Sequence, residues 1–245
     1  MDGAMTIPVL ELFGPTVQGE GMLVGRKTMF VRTAGCDYRC SWCDSAFTWD
    51  GSAKEEIRSL TAEDILRELN ALAAGRFDHV TISGGNPALI PGISGLVRLL
   101  GEHGIRTAVE TQGSRWQEWL LDIDDVTLSP KPPSSGMSTD EARLDQMVSQ
   151  LWDRPDRKGL CLKIVVFDDR DLAYAIRMHE RYPDIPFVLQ TGNDDVRSAD
   201  DHELIRKLLG RYEWLIEQVA ADTRLNRVRV LPQLHTLVWG NKRGV

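Results

Sequence analysis

Apolar residues recur along this chain in two rhythms that alternate with one another. Short runs rich in branched and apolar side chains fall at residues 27–34, 79–82, 105–110, 126–128, 160–167 and 187–190, and read as buried strands. Residues 61–74, 93–103, 115–121, 139–152, 172–181 and 200–221 carry apolar positions three and four apart and predict helices. In the first of these helices Ile65, Leu66, Leu69 and Leu72 share a face, and Thr61 with Asp64 predicts a capping pair at its start. Residues 6–13 predict one further strand ahead of the series. Strands alternating with helices at this spacing predict an α/β fold with a parallel sheet. About six units, with the polar and glycine-bearing stretches all following strands, predict a partial (β/α)6 barrel of the TIM type, worked at the C-terminal ends of its strands. The 245 residues suit one domain over 1–245, with an N-terminal loop and a C-terminal segment closing over the barrel. That last segment, 227–245, is too apolar for a disordered tail. The Pro-, Ser- and Gly-rich stretch 132–138 is the one expected to be mobile.

Composition narrows the classes of function. A hydrophobic content of 42% with 27% charged residues predicts a well-buried core. The formal net charge of −7 argues against a nucleic-acid binder, which needs a basic surface to neutralise phosphates. No apolar run reaches the length of a membrane span, and Met1-Asp2-Gly3-Ala4-Met5 lacks the basic and apolar regions of a secretory leader. A cytoplasmic location is expected, where thiols stay reduced.

The chemistry concentrates in Gly35-Cys36-Asp37-Tyr38-Arg39-Cys40-Ser41-Trp42-Cys43-Asp44, which holds three of the four cysteines at C-x3-C-x2-C spacing. Three thiolates on one tight loop can grip three irons of a [4Fe–4S] cluster and leave the fourth iron open to a ligand. A structural zinc site is the alternative; it needs a fourth nearby Cys or His, and the nearest are His79 and Cys161. Cys161 reads as a small buried apolar residue. Upstream, Phe13-Gly14-Pro15-Thr16-Val17-Gln18-Gly19-Glu20-Gly21 predicts a loop, and Gln18 and Glu20 on its glycine-flanked backbone can read a ring bearing N–H, NH2 and C=O groups. Arg32, near the end of a buried strand, needs an anion, either a protein carboxylate or a bound one. The glycines of Ser83-Gly84-Gly85-Asn86-Pro87 allow close approach of a ligand to the backbone, although such turns are more often structural. His235 reads as a structural polar residue, since no orienting partner is visible in sequence.

The cysteine spacing resembles the signature of the radical S-adenosylmethionine (SAM) superfamily. Together with the Gln18-Gly19-Glu20-Gly21 loop, Arg32, Ser83-Gly84-Gly85-Asn86-Pro87, Glu110-Thr111-Gln112-Gly113, Ser129-Pro130-Lys131-Pro132-Pro133 and Trp239-Gly240-Asn241-Lys242-Arg243-Gly244-Val245, the whole chain is similar to the 7-carboxy-7-deazaguanine synthases. The resemblance implies a ring contraction of 6-carboxy-5,6,7,8-tetrahydropterin to 7-carboxy-7-deazaguanine and ammonia, begun by a 5′-deoxyadenosyl radical cut from SAM, with SAM regenerated. It implies a [4Fe–4S] cluster on Cys36, Cys40 and Cys43, SAM as cofactor, and Mg2+ on Ser45. It assigns the pterin to Val17, Gln18, Gly19, Glu20, Arg32 and Ser83. SAM falls to Trp42, Asp44, Gly85, Glu110, Ser129, Pro130 and Lys131, although Trp42 also reads as core packing and Lys131 as a solvated surface residue. A homodimer and an external electron donor such as flavodoxin or ferredoxin are implied as well. The chain departs from the superfamily at Asn86, where most members carry glutamate. Two other readings stay open on residues alone: an activase that installs a glycyl radical on a partner, and a zinc-binding module.

Overall fold

The computed structural model of the chain describes residues 5–155 and 159–245; the segment read above as lacking a leader falls mostly outside them, at 1–4. The strands β1 (Ile7–Val17), β2 (Lys27–Thr33), β3 (Arg58–Leu60), β4 (His79–Gly84), β5 (Arg106–Thr111), β6 (Asp125–Leu128), β7 (Leu160–Val166), β8 (Phe187–Thr191) and β9 (Val228–Leu231) form one sheet in the order β3-β1-β2-β4-β5-β6-β7-β8-β9. From β2 to β9 every pairing is parallel, and β1 joins β2 and β3 antiparallel at one edge. The sheet does not close, so the expected partial barrel stands, with β9 added beyond its sixth strand.

The helices are α1 (Ala62–Ala73), α2 (Ile93–Glu102), α3 (Glu141–Trp152), α4 (Asp169–Arg181), α5 (Asp201–Ala221) and α6 (Leu234–Trp239). Four of them begin at a side chain that accepts from the first turn: Thr61, Asp140, Asp168 and Asp200. The predicted Thr61–Asp64 capping box is complete, each side chain bonding to the other residue's backbone N–H at 3.2 Å. Apolar faces of α1 to α4 pack on the sheet around Ile65, Leu96, Leu144 and Ala175, all fully buried.

Three expectations are corrected. The loop predicted from Phe13 starts only after Val17, because β1 continues through Gly14 and Pro15 by shifting its register on β2 between Phe13 and Thr16. Residues 115–121 hold only a short 3-10 turn, Glu118–Leu121, because the buried pair Trp119 and Leu120 is adjacent rather than spaced along a helical face. The apolar tail contains strand β9, which pairs with β8 and so extends the sheet before α6 turns back over the strand ends.

Candidate active site

A cavity of about 240 Å³ opens at the C-terminal ends of the parallel strands. Its wall draws on the β1–β2 loop, β2, the cysteine loop, the ends of β4, β5 and β7, and the tail after β9. Parallel strands place their chain exits side by side, so residues far apart in sequence meet here.

Cys36, Cys40 and Cys43 are unbridged, half-buried, and line this cavity. N–H groups point at two of the sulfurs. Cys36 Sγ accepts from the Tyr38 backbone at 3.4 Å and Gln112 Nε2 at 3.7 Å, and Cys43 Sγ from Trp49 Nε1 at 3.4 Å. Such donors suit sulfur that carries negative charge on a metal. Burial pushes the Cys43 thiol up to about 11, with Asp44 adding to it, and burial also raises Cys40. These thiols are therefore protonated at neutral pH until a metal takes the proton's place. The three sulfurs do not all lie within 4.8 Å of one another; among the described residues Glu20, Asp44 and His235 are the group whose ligand atoms do. Three thiolates on one zinc ion at about 2.3 Å would sit roughly 3.8 Å apart. A [4Fe–4S] cluster needs only these three thiols from the chain, whereas a structural zinc site needs a fourth Cys or His beside them.

The loop is held from outside by residues 132–138, the stretch expected to be mobile. That expectation is corrected: Pro133–Ser135 forms a 3-10 turn, Ser135 is buried, and the stretch is bonded along the cysteine loop. Ser41 N donates to Ser135 O at 3.0 Å, Ser41 Oγ to Ser134 O at 2.8 Å, Trp42 Nε1 to Ser134 Oγ at 3.0 Å, and Tyr38 Oη to Ser138 O at 2.9 Å. The Trp42 ring lies 5.1 Å from Phe167, so one face packs on the protein while the residue still lines the cavity.

The Gln18–Glu20 loop lines the same cavity, and Glu20 has a ligand atom within 4.8 Å of one on Asp44, beside the cysteines. Gly19 is required there: a Cβ would sit 2.5 Å from His235 Nδ1. Leu234 N donates to Gly19 O at 3.0 Å, and Gly21 N donates to Gln190 Oε1 at 3.2 Å. Glu20 meets a residue that the sequence reading missed. Lys163, in the middle of β7 with 2% of its side chain exposed, lies 2.5 Å from Glu20 Oε2 and 2.7 Å from Glu110 Oε1. Gln233 Nε2 donates to Glu20 Oε1 at 2.7 Å, and His235 Nδ1 lies 4.0 Å from the same oxygen. His235 thus has in space the partner that was not visible in sequence. Burial pushes the Glu20 carboxyl up, but Lys163, His235 and the hydrogen bonds from Lys163 and Gln233 outweigh it and hold the group well below the usual carboxylate range. Burial pulls the Lys163 ammonium down, and Glu110 and Glu20 outweigh it in turn. A signal for Lys163 was present: it is the one charged residue in Leu160–Val166, a strand buried along its whole length, where a cation is costly without anions.

Arg32 meets the protein carboxylate that was one of its two expected partners, with Nε 2.8 Å from Glu11 Oε2. Its Nη1 donates to Ser45 Oγ at 3.1 Å, and Ser45 donates to Asp44 Oδ1 at 2.9 Å. The guanidinium lies 5.2 Å and 5.4 Å from the ring centres of Phe13 and Phe47, and it borders the cavity.

Of the remaining expected site residues, Val17, Ser83, Gly85, Glu110 and Lys131 line the cavity, whereas Ser129 and Pro130 are not on its wall. Ser129 is buried and accepts from Lys131 Nζ at 3.1 Å. A Cβ on Gly85 would sit 2.1 Å from Gly35 O, so this glycine lets the loop after β4 pack on the start of the cysteine loop. Asn86 is fully buried and bonded on both sides of its amide: Nδ2 donates to Asp37 Oδ1 at 2.9 Å and Ser114 Oγ at 3.0 Å, and Oδ1 accepts from Thr111 Oγ1 at 2.8 Å and Ala88 N at 3.2 Å. Cys161 is buried in β7 and absent from the wall, as expected of it.

Residues 30–129 match the profile of the Radical SAM superfamily. The 7-carboxy-7-deazaguanine synthase of Bacillus cereus is 63% identical over 239 residues, covering 98% of this chain and 99% of the relative. That of Bacillus subtilis is 60% identical over 242 residues, covering 99% and 100%. In fold, the chain is similar to the crystal structure of QueE from Escherichia coli, with a TM-score of 0.68 at 22% identity over 94% of this chain and 95% of that one.

Proposed function

The chain belongs to the 7-carboxy-7-deazaguanine synthase family of radical SAM enzymes, and from that membership we propose how its own residues serve the reaction. The activity is the contraction of 6-carboxy-5,6,7,8-tetrahydropterin to 7-carboxy-7-deazaguanine and ammonia, on the route to queuosine and related 7-deazapurines. When bound, a [4Fe–4S] cluster and SAM supply the carbon radical that starts it, and Cys36, Cys40 and Cys43 are the residues that would hold the cluster. The observation that carries this reading is one cavity shared by those three thiols, the Gln18–Glu20 loop and Arg32.

Glu20 stays ionised beside Lys163 and accepts from the N–H and NH2 groups of the pterin's guanine-like edge. Its oxygens already hold Lys163 and Gln233, which fixes the direction of the remaining lone pairs. The Val17–Gly19 backbone and the Gln18 amide read the rest of that edge. Arg32 takes the substrate carboxylate, its plane set by Phe13 and Phe47, and Ser83 borders the same ligand. SAM is met by Trp42, Asp44, Gly85, Glu110 and Lys131, with Ser129 and Pro130 behind Lys131. Mg2+ is assigned to the Ser45 hydroxyl, next to the Asp44 carboxylate; this pair of hard oxygens suits it.

We place the enzyme in the cytoplasm as a single-domain subunit of a homodimer, fed one electron at a time by a flavodoxin or ferredoxin. Among the described residues no helix is long and apolar enough to cross a membrane. The test is anaerobic reconstitution followed by incubation with SAM, reductant and the carboxytetrahydropterin. Brown protein with about four irons per chain and the ultraviolet band of a deazapurine are expected. Cys43→Ser removes both, and Cys161→Ser removes neither. A colourless protein with one zinc, or no new band, overturns the assignment.

A further inference from the structure

The tail brings a second guanidinium to the carboxylate that holds Arg32. Arg243 lies 2.7 Å from Glu11 Oε1 and 3.0 Å from Glu56 Oε2. Its guanidinium carbon sits 3.9 Å from the centre of the Phe47 ring, the ring that also lies against Arg32. Phe13, the second ring against Arg32, stacks on Phe30 at 4.7 Å, so contacts run without a break from the strand β2 out to the tail. Glu11 therefore bridges two arginines, one oxygen to each. Its contact with Arg32 Nε lies off the N–H axis, so it acts as a charge and not as an aimed hydrogen bond.

The balance of charge gives the arrangement its meaning. A carboxylate paired with Arg32 alone would cancel much of the charge that Arg32 can offer to an incoming anion. Arg243 draws on the same carboxylate from the other side. It also lies against Phe47 and so helps fix the ring beside which Arg32 lies. We propose that Arg243 is a positioning residue for substrate: by sharing Glu11 and lying against Phe47, it leaves more of the charge on Arg32 uncancelled and keeps Arg32 oriented for the substrate carboxylate. The proposal rests on the assignment of Arg32 to that carboxylate made above.

Affinity for the carboxytetrahydropterin is measured by titration calorimetry on the reconstituted holoenzyme with SAM and no reductant, so that no turnover intervenes. Arg243 is partly exposed, with 38% of its side chain accessible, and screening keeps its effect moderate. Arg243→Gln is expected to weaken binding about fivefold. Adding Glu11→Gln to that variant is expected to bring affinity back to within about twofold of the native protein, because the competing carboxylate is gone. A merely structural role for the tail predicts the reverse, since the double variant loses both ends of its tether. Unchanged affinity in Arg243→Gln, or a double variant no tighter than it, overturns the proposal. Arg32→Gln separates the two levels: if it binds as well as the native protein, the Arg32 assignment itself has failed and the proposal falls with it. Iron content and thermal unfolding of each variant show that its fold is intact.

Discussion

The wall of the cavity made by the β1–β2 loop and the cysteine loop handles polar groups differently from the wall made by β5 and β7. On the first, Cys36, Cys40, Cys43 and Gln18 are half-exposed, carried on loops, and oriented mainly by backbone and neighbouring N–H groups. On the second, Lys163 lies at the centre of a fully buried strand and is oriented by two carboxylates. Water can stand in for much of what is lost on the first wall. Nothing can replace a buried counter-charge on the second. The lesson is a division of labour: loops bring half-exposed groups to the cavity, and the buried strand β7 supplies the charge that keeps Glu20 in one state.

The largest effect expected follows from that contrast. Lys163→Met leaves Glu20 and Glu110 facing each other across a buried gap with no cation between them. Destabilisation of about 3–5 kcal/mol is expected at neutral pH, together with loss of activity. The pH dependence should change sign. In the native protein Glu20 is held below its unfolded value, so its contribution is complete above about pH 4.3 and is lost on acidification below that. Lys163 is held above its unfolded value, so its share is lost only on the alkaline side of about pH 10.4. Without Lys163 burial dominates at Glu20 and raises its carboxyl, so the variant's deficit should shrink as pH falls from 7 to 5. Urea unfolding at the two pH values checks this; a deficit that stays constant or grows on acidification would show that Lys163 does not hold Glu20 ionised.

Asn86 gives the next effect, and it joins the two walls. Its amide donates to Asp37 of the cysteine loop and accepts from Thr111 at the end of β5. The superfamily's usual glutamate would bring an acceptor where Asp37 needs a donor, which is a physical reason for the departure noted in the sequence. Asn86→Asp tests this with the least change of shape. Two carboxylates would then stand where a hydrogen bond of 2.9 Å stood. A loss of about 2–3 kcal/mol in unfolding free energy is expected, with a lower iron content after reconstitution. Equal stability of the two proteins would mean that the Asp37 contact is not what selects the amide.

How much of this was legible beforehand follows the same division. The cysteine loop could be read because its ligands are neighbours in sequence, and the strand–helix rhythm because buried strands and amphipathic helices write their burial into every few residues. Lys163, Gln190 and Gln233 reach the loop after β1 from three separate places in the chain, and no local spacing marks them. Gly14-Pro15 signalled an end to β1, yet a shift of register on β2 carries the strand past it to Val17. The stretch 132–138 has the composition of a mobile linker, but its carbonyls and hydroxyls are spent on the cysteine loop, a tertiary fact that composition cannot carry.

That stretch supplies the smallest effect and the other limit of the comparison. Ser134 Oγ accepts from Trp42 Nε1 at 3.0 Å, and the Ser134 carbonyl separately accepts from Ser41 Oγ at 2.8 Å. Ser134→Ala removes the first bond and leaves the second, since the backbone is untouched. Trp42 is only half-buried, so water can take over its indole N–H. The loss should therefore stay near the net value of one hydrogen bond, about 0.5–1.5 kcal/mol, a shift of roughly 1–6 °C in thermal midpoint for a chain of this size. Iron content should hold, because the N–H groups that reach Cys36 and Cys43 are untouched. A loss as large as that of Lys163→Met would erase the distinction between the walls, and would mean that the indole contact fixes the cysteine loop as rigidly as buried charge fixes the strands.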